Sequence, residues 1–176
     1  GEVSFDNGLV PISNIVGSRG GGLRVLAEST GWERAVVLSN TLGPMHRAVE
    51  VCLERAKTRV AYDKPIGAFQ QVSSKVADMI MRQRLARQTI YDLASRLGNG
   101  KLIQPYLQDA AIAKLFVSEN YVRVQMAAVQ LFGVRGNLME YPFQQDLRDS
   151  VGSTKWAGTS ESLRNTIAKL AGLPVD

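Results

Sequence analysis

The stretch FQQVSSKVADMIMRQRLARQTIYDLASRLG, residues 69–98, decides the fold. Its apolar side chains Phe69, Val72, Val76, Met79, Ile80, Leu85, Ile90, Leu93 and Leu97 recur mostly at steps of three or four. Side chains so spaced share one face of an α-helix, so the run is an amphipathic helix with its stripe turned to a core. Gly98-Asn99-Gly100 supplies the carboxyl cap, where glycine enters the left-handed conformation without a Cβ clash. Upstream, Trp32, Val36, Val37, Leu42, Met45, Val49, Cys52, Leu53 and Ala56 mark the inner face of another helix, from about Thr30 to Val60. Downstream, the segment from about Gln104 to Leu131 is apolar on more than one side, as a central helix must be. A short helix is expected around Phe143 to Asp149 and a last one from about Ser160 to Leu170. Short connections join only antiparallel neighbours, so the expected fold is all-α, an up-and-down four-helix bundle.

Ahead of the bundle, Glu2-Val3-Ser4-Phe5-Asp6 alternates polar with apolar residues before an Asn7-Gly8 turn, which reads as a short N-terminal strand remnant. The glycine-rich Gly17-Ser18-Arg19-Gly20-Gly21-Gly22 then reads as a hinge-like linker. There is no initiator Met and no charged segment leading an apolar one, so we expect further sequence upstream and no signal peptide at this start.

Composition narrows the function. With 176 residues and 45% hydrophobic content the chain can build one core, not two. No apolar run approaches the roughly 20 residues needed to cross a bilayer, so no membrane span is expected. A single cysteine, Cys52, excludes an internal disulfide framework, and with a single histidine, His46, no metal site is expected. The net charge of +5 favours anionic partners. Arg82, Arg84 and Arg87 add positive charge to one helix, yet without interleaved aromatics they do not suggest nucleic acid.

Three local arrangements bear on chemistry. Gly158-Thr159-Ser160-Glu161 opens the last helix, and a small-residue turn followed by unpaired helix N–H groups is a natural anion site as well as an ordinary N-cap. Gln130-Leu131-Phe132-Gly133 ends the central helix where glycine allows a ligand close to the backbone, or simply caps it. Thr30-Gly31-Trp32-Glu33 has the spacing of a capping box, in which Glu33 would satisfy the Thr30 amide.

The order of short motifs along the chain resembles the acyl-CoA dehydrogenases. It includes Val10-Pro11, Asn14-x-x-Gly17, Glu33-Arg34, Leu42-Gly43, Arg59-x-x-Tyr62-x-x-Pro65-Ile66, Phe69-Gln70, Ala77-Asp78-Met79, Lys114, Ser118-Glu119, Gln130-x-Phe132-Gly133, Glu140-Tyr141-Pro142, Arg148-Asp149 and Gly158-Thr159-Ser160-Glu161. The resemblance implies that residues 1–22 are the tail of the family's middle β-domain with its linker, and residues 23–176 its C-terminal helical bundle. It implies FAD as cofactor and α,β-dehydrogenation of an acyl thioester. Arg59, Phe69 and Gln70 would meet the FAD of a neighbouring subunit. Gln130, Leu131, Phe132 and Gly133 would follow its adenosine and pyrophosphate, with Thr159, Ser160 and Glu161 beside FAD at the last helix.

In most of the family the base is a glutamate directly before Gly-Thr, where this chain has Ala157. One branch, resembling isovaleryl-type enzymes, carries it early in the first bundle helix before an arginine. By that resemblance Glu33 is the catalytic base and Arg34 lies beside the substrate. Val134 stands where the flavin loop has its second glycine, Asn137 where an aromatic is common, and Tyr62-Asp63 where the family prefers Phe-Gly. The expected substrate is an acyl-CoA, or alternatively an acyl or aminoacyl group on a carrier protein. The expected acceptor is electron-transfer flavoprotein or a similar protein, in a cytoplasmic homo-oligomer. A non-catalytic subunit of a heteromer is the second alternative, for which Ala157 and Val134 would be signs of decay.

Overall fold

The computed structural model describes residues 2–98 and 102–175, so Asn99 and Gly100 of the expected cap lie outside the described residues. Six α-helices occur in order among them: α1 (Gly22–Val36), α2 (Leu42–Thr58), α3 (Gln70–Leu97), α4 (Leu107–Phe132), α5 (Phe143–Ser153) and α6 (Ser160–Leu170). Of the stripe read on α3, Val76, Met79, Ile90, Leu93 and Leu97 face inward, whereas Leu85 is 45% exposed and Ala86 takes the inward position beside it. On α4 the buried positions include Ala110, Ala113, Val117, Tyr121, Val124, Ala128 and Phe132 on one side and Ala111, Lys114, Ser118 and Gln125 on others. Helices α1, α2, α3, α5 and α6 all pack on it, which makes α4 the centre of the bundle. Met45, Cys52, Met79, Leu93 and Val117 are at most 1% exposed, and each such apolar side chain contributes about 1.5–3 kcal/mol by leaving water. Arg47 of α2 donates from Nη2 to both carboxylate oxygens of Asp146 on α5, at 3.0 and 2.7 Å, and ties the short helix to the bundle. No helix among the described residues is long and apolar enough to cross a membrane.

The fold is all-α as expected, with corrections at its first half. No strand forms over the expected residues 2–6, which are exposed throughout, because an isolated extended segment has no neighbouring ladder to bond. The described β-structure is instead a two-residue hairpin, β1 (Val60–Ala61) antiparallel to β2 (Lys64–Pro65), between α2 and α3.

Helix α1 starts at Gly22, eight residues before the expected Thr30. Leu23 to Glu28 are good helix formers, and Ser29-Thr30-Gly31 reads as punctuation only in one dimension. A Cβ on Gly31 would stand 2.8 Å from Leu107 Cδ2, so the glycine serves close helix packing and interrupts nothing. The single helix expected to reach Val60 is broken by a 3-10 turn over Val37–Thr41. Pro44 explains the break, since in a continuous helix its ring would meet the Asn40 carbonyl. With α2 restarting at Leu42, Pro44 falls in a first turn, where its missing N–H is not needed.

Candidate active site

Lys114 lies on the central helix and is 0% exposed. Its Nζ donates to the carbonyls of Thr154 at 3.1 Å and Gly158 at 2.7 Å. From α1, Arg34 Nε donates to the carbonyl of Ala157 at 2.9 Å. These three bonds hold a turn whose backbone is unusual, with Ala157 at φ 51° and Gly158 at φ 114°. A left-handed alanine costs about 1–3 kcal/mol and persists only where its surroundings impose it. Burial and, to a smaller extent, the Arg34 cation lower the Lys114 pKa to about 8, against the opposing effect of the Glu161 and Glu33 carboxylates. Glu33, Arg34 and Glu161 are therefore each within electrostatic reach of Lys114. Glu33 is exposed on the surface of α1.

The capping box expected at Thr30–Glu33 does not form, because Thr30 is interior to α1 and its amide is bonded in the helix. The cap expected at the last helix does form. Thr159 is its N-cap, and its hydroxyl accepts from the Ser162 amide at 3.3 Å. The N–H of Glu161 and the Thr159 hydroxyl hold the Glu161 carboxyl below its ordinary range. Ser160 is turned inward at 9% exposure. Lys114 thus has two exposed carboxylates, Glu33 and Glu161, and a second cation, Arg34, within electrostatic reach, with Glu161 in the first turn of α6. That combination can accept a proton and stabilise negative charge developing next to it. Ala157 carries no acid or base.

The other expected residues gather at the far end of α4. Phe132 is nearly buried, with its ring centroid 4.3 Å from that of Phe143 and the Arg55 guanidinium 4.6 Å above it. Arg55 Nε also donates to the Leu131 carbonyl at 3.4 Å. Gly133 ends the helix at φ 62°, a conformation that favours glycine. Gln130 is exposed and Leu131 half-buried. Arg59, exposed at the end of α2, accepts the Ile66 N–H on its carbonyl at 2.8 Å and so anchors the hairpin. At the tip Tyr62 and Asp63 have φ 51° and 62°, the two left-handed positions of a two-residue hairpin turn, where glycine would be less strained. Phe69 takes the Lys64 ammonium 4.4 Å over its ring and meets Tyr62 edge-on at 6.2 Å, while Gln70 begins α3 exposed.

In the turn after α4, Gly136 is pressed against the preceding helix, and a Cβ there would lie 2.6 Å from the Val129 carbonyl oxygen. We expect Gly136→Ala to lower stability by about 1–3 kcal/mol through this overpacking. A thermal melt superimposable on that of the parent chain would refute it.

The structure therefore brings Glu33 and Arg34 together with Thr159, Ser160 and Glu161, but leaves Arg59, Phe69, Gln70 and Gln130 to Gly133 in a second group. Lys114 and Phe132 mark the two along one helix and are about 27 Å apart at about 1.5 Å of rise per residue. Sequence reasoning did not assign Lys114, Arg55 or Arg135 to a site. A lysine amid the apolar run of α4 was the available sign for the first. Arg55, one helical turn before Arg59 and hence on the same face, was the sign for the second.

Residues 20–172 match the family pattern of the acyl-CoA dehydrogenase C-terminal domain. The L-prolyl-[peptidyl-carrier protein] dehydrogenase of Pseudomonas fluorescens is 38% identical over 169 residues, 96% of this chain and 44% of that protein. The butyryl-CoA dehydrogenase structure from Megasphaera elsdenii superposes with a TM-score of 0.85 at 34% identity, covering 92% of this chain and 42% of that one. A structure described as PigA with FAD and proline gives 0.88 at 29% identity, over 96% and 43%. The chain thus spans less than half the length of these relatives. Match and geometry agree over the whole bundle, from α1 to the end of α6, and the chain belongs to the acyl-CoA dehydrogenase family, whose C-terminal helical domain it carries.

Proposed function

We propose that this chain is the C-terminal helical part of an FAD-dependent dehydrogenase that introduces an α,β double bond into an acyl-CoA, with Glu33 as the base. The carrying observation is the placement of Glu33. It is an exposed carboxylate in the interior of α1, it caps nothing, and it lies within electrostatic reach of Arg34 and Lys114, which tie down the turn holding Ala157. Glu33 takes the α-proton, while Arg34 and the Lys114 charge hold the turn and keep the potential beside the acyl thioester positive. FAD, when bound, supplies the acceptor for the β-hydrogen as a hydride. The residues present fit such a cofactor: Arg55, Arg59 and Arg135, three arginines without an acidic partner among the described residues, suit a diphosphate, and Gly133 opens the backbone beside them.

Two groups about 27 Å apart along α4 suit a homodimer or homotetramer in which each FAD is shared between subunits. Arg59, Phe69, Gln70 and Gln130 to Gly133 would meet a neighbour's cofactor, and Arg34, Thr159, Ser160 and Glu161 would face the chain's own substrate and cofactor. We further propose residues 1–22 as the tail of the family's β-domain, a cytoplasmic location, and electron-transfer flavoprotein or a similar protein as acceptor.

A second reading, a carrier-protein thioester in place of CoA, is favoured by the 38% identity to the prolyl carrier-protein dehydrogenase and by the net charge of +5, since carrier proteins are acidic. Arg84 and Arg87 are exposed enough to meet one, whereas Arg82 is engaged by the Asn120 side chain at 2.7 Å. The test mixes the flavin-loaded polypeptide that carries this chain, without oxygen, with a short branched acyl-CoA and separately with an aminoacyl carrier protein. Loss of the oxidised-flavin absorption band is expected with the CoA ester. Bleaching only by the carrier-bound ester selects the second reading, and none with either leaves the non-catalytic subunit.

A further inference from the structure

Arg55, Arg59 and Arg135 form no ion pair with any acidic group among the described residues. They nevertheless lie close enough for Arg135 and Arg59 to depress the Arg55 pKa, in addition to the larger effect of its burial. A protein that gathers three like charges without a counter-charge carries a repulsion that a bound anion relieves. One of the three is also held in place, and a second stands on a fixed stretch of backbone. Arg55 rests on the Phe132 ring and bonds the Leu131 carbonyl, which removes much of its rotamer freedom. Arg135 stands on the 3-10 turn Gly133–Asn137, which Gly136 pins against the Val129 carbonyl. Beside it, the branched side chain of Val134 is 81% exposed and keeps a ligand away from the backbone there. A guanidinium reaches past such an obstacle, where a backbone amide cannot.

We propose that Arg55 and Arg135 join Arg59 in a three-arginine clamp for the diphosphate of a nucleotide cofactor, Arg135 compensating for Val134 in the turn after α4. The clamp rests on the flavin reading above and specifies how this chain holds the cofactor's phosphates. Planar guanidinium forks match phosphate oxygens two at a time, and pre-positioned forks lose little entropy on binding.

The probe is ADP, titrated into the 176-residue chain, with adenosine as the phosphate-free control and the arginine Nε–Hε resonances as readout. ADP should shift the signals of Arg55, Arg59 and Arg135, and adenosine should shift none. Arg135→Gln removes an exposed side chain, so the fold is retained. It should weaken ADP about tenfold and flatten the salt dependence, as should Arg59→Gln. ADP binding unchanged in Arg135→Gln but weakened in Arg59→Gln overturns the clamp and leaves the flavin reading standing. Flavin retention by the polypeptide that carries the chain is measured alongside. Retention without any ADP response at these arginines overturns the clamp alone, and neither retention nor response overturns both.

Discussion

In the flavin-loaded polypeptide that carries this chain, Glu33→Gln abolishes reduction of the flavin by substrate, lowering its rate by about 10²–10⁴-fold, while fold and bound FAD are retained. An amide has the size and hydrogen-bonding reach of the carboxylate but takes up no proton. Because Glu33 is exposed and interior to α1, with no cap to lose, the substitution changes stability by less than about 0.5 kcal/mol, and lost activity is not lost folding. Adding Ala157→Glu to the inactive variant sets a carboxylate on the turn that Arg34 and Lys114 hold. The left-handed backbone is already imposed there, so the strain of a non-glycine residue is not new. Partial recovery would show that both positions address the same proton. Full turnover by Glu33→Gln alone would end the assignment of the base.

Lys114→Met should lower stability by roughly 2–4 kcal/mol, because it leaves the Thr154 and Gly158 carbonyls without their donor. Methionine fills nearly the same volume, which separates the lost bonds from a cavity. The pH dependence gives a second readout. The folded-state pKa is about 8 and the ordinary value 10.5, so between them the unfolded chain holds more protons than the folded one. Stability contributed through Lys114 therefore rises with pH from about 8 to 10.5, and below 8 the full penalty of burying the ammonium is present. The neutral amine keeps two N–H donors for the two carbonyls, so the turn survives deprotonation. Chemical denaturation across that window should show the slope in the parent chain and not in Lys114→Met. Equal slopes would mean that the ammonium is solvated.

The spacing of Val76, Met79, Ile90 and Leu93, the all-round apolarity of α4 and the Thr159 cap were readable by themselves, because each reflects side chains within a few residues along one helix. The amphipathic pattern thereby determined the helices and their class, and the order of motifs the family. The first half of the bundle was not readable in this way. Whether Gly31 ends a helix depends on Leu107 and Ile103 lying across it, and where the chain breaks before Pro44 depends on which turn Pro44 joins. A strand over residues 2–6 would require a partner strand, which no alternation within the segment can supply.

The candidate site divides in the same way. Residue types suggested Gly133 and Thr159, and the family resemblance Glu33 and Arg59. Only the packing of α1 and α6 on α4 placed Glu33 and Glu161 each within reach of Lys114 and set them a helix-length from Phe132. The convergence of Arg55 and Arg135, 80 residues apart in the chain, likewise arises from the docking of α2 against the end of α4. Periodicity is a local property fixed by covalent spacing, so the sequence alone determined the helices and the faces they bury. Proximity between charges is a property of packed surfaces, and it was the tertiary structure that decided which carboxylate, lysine and arginines act together.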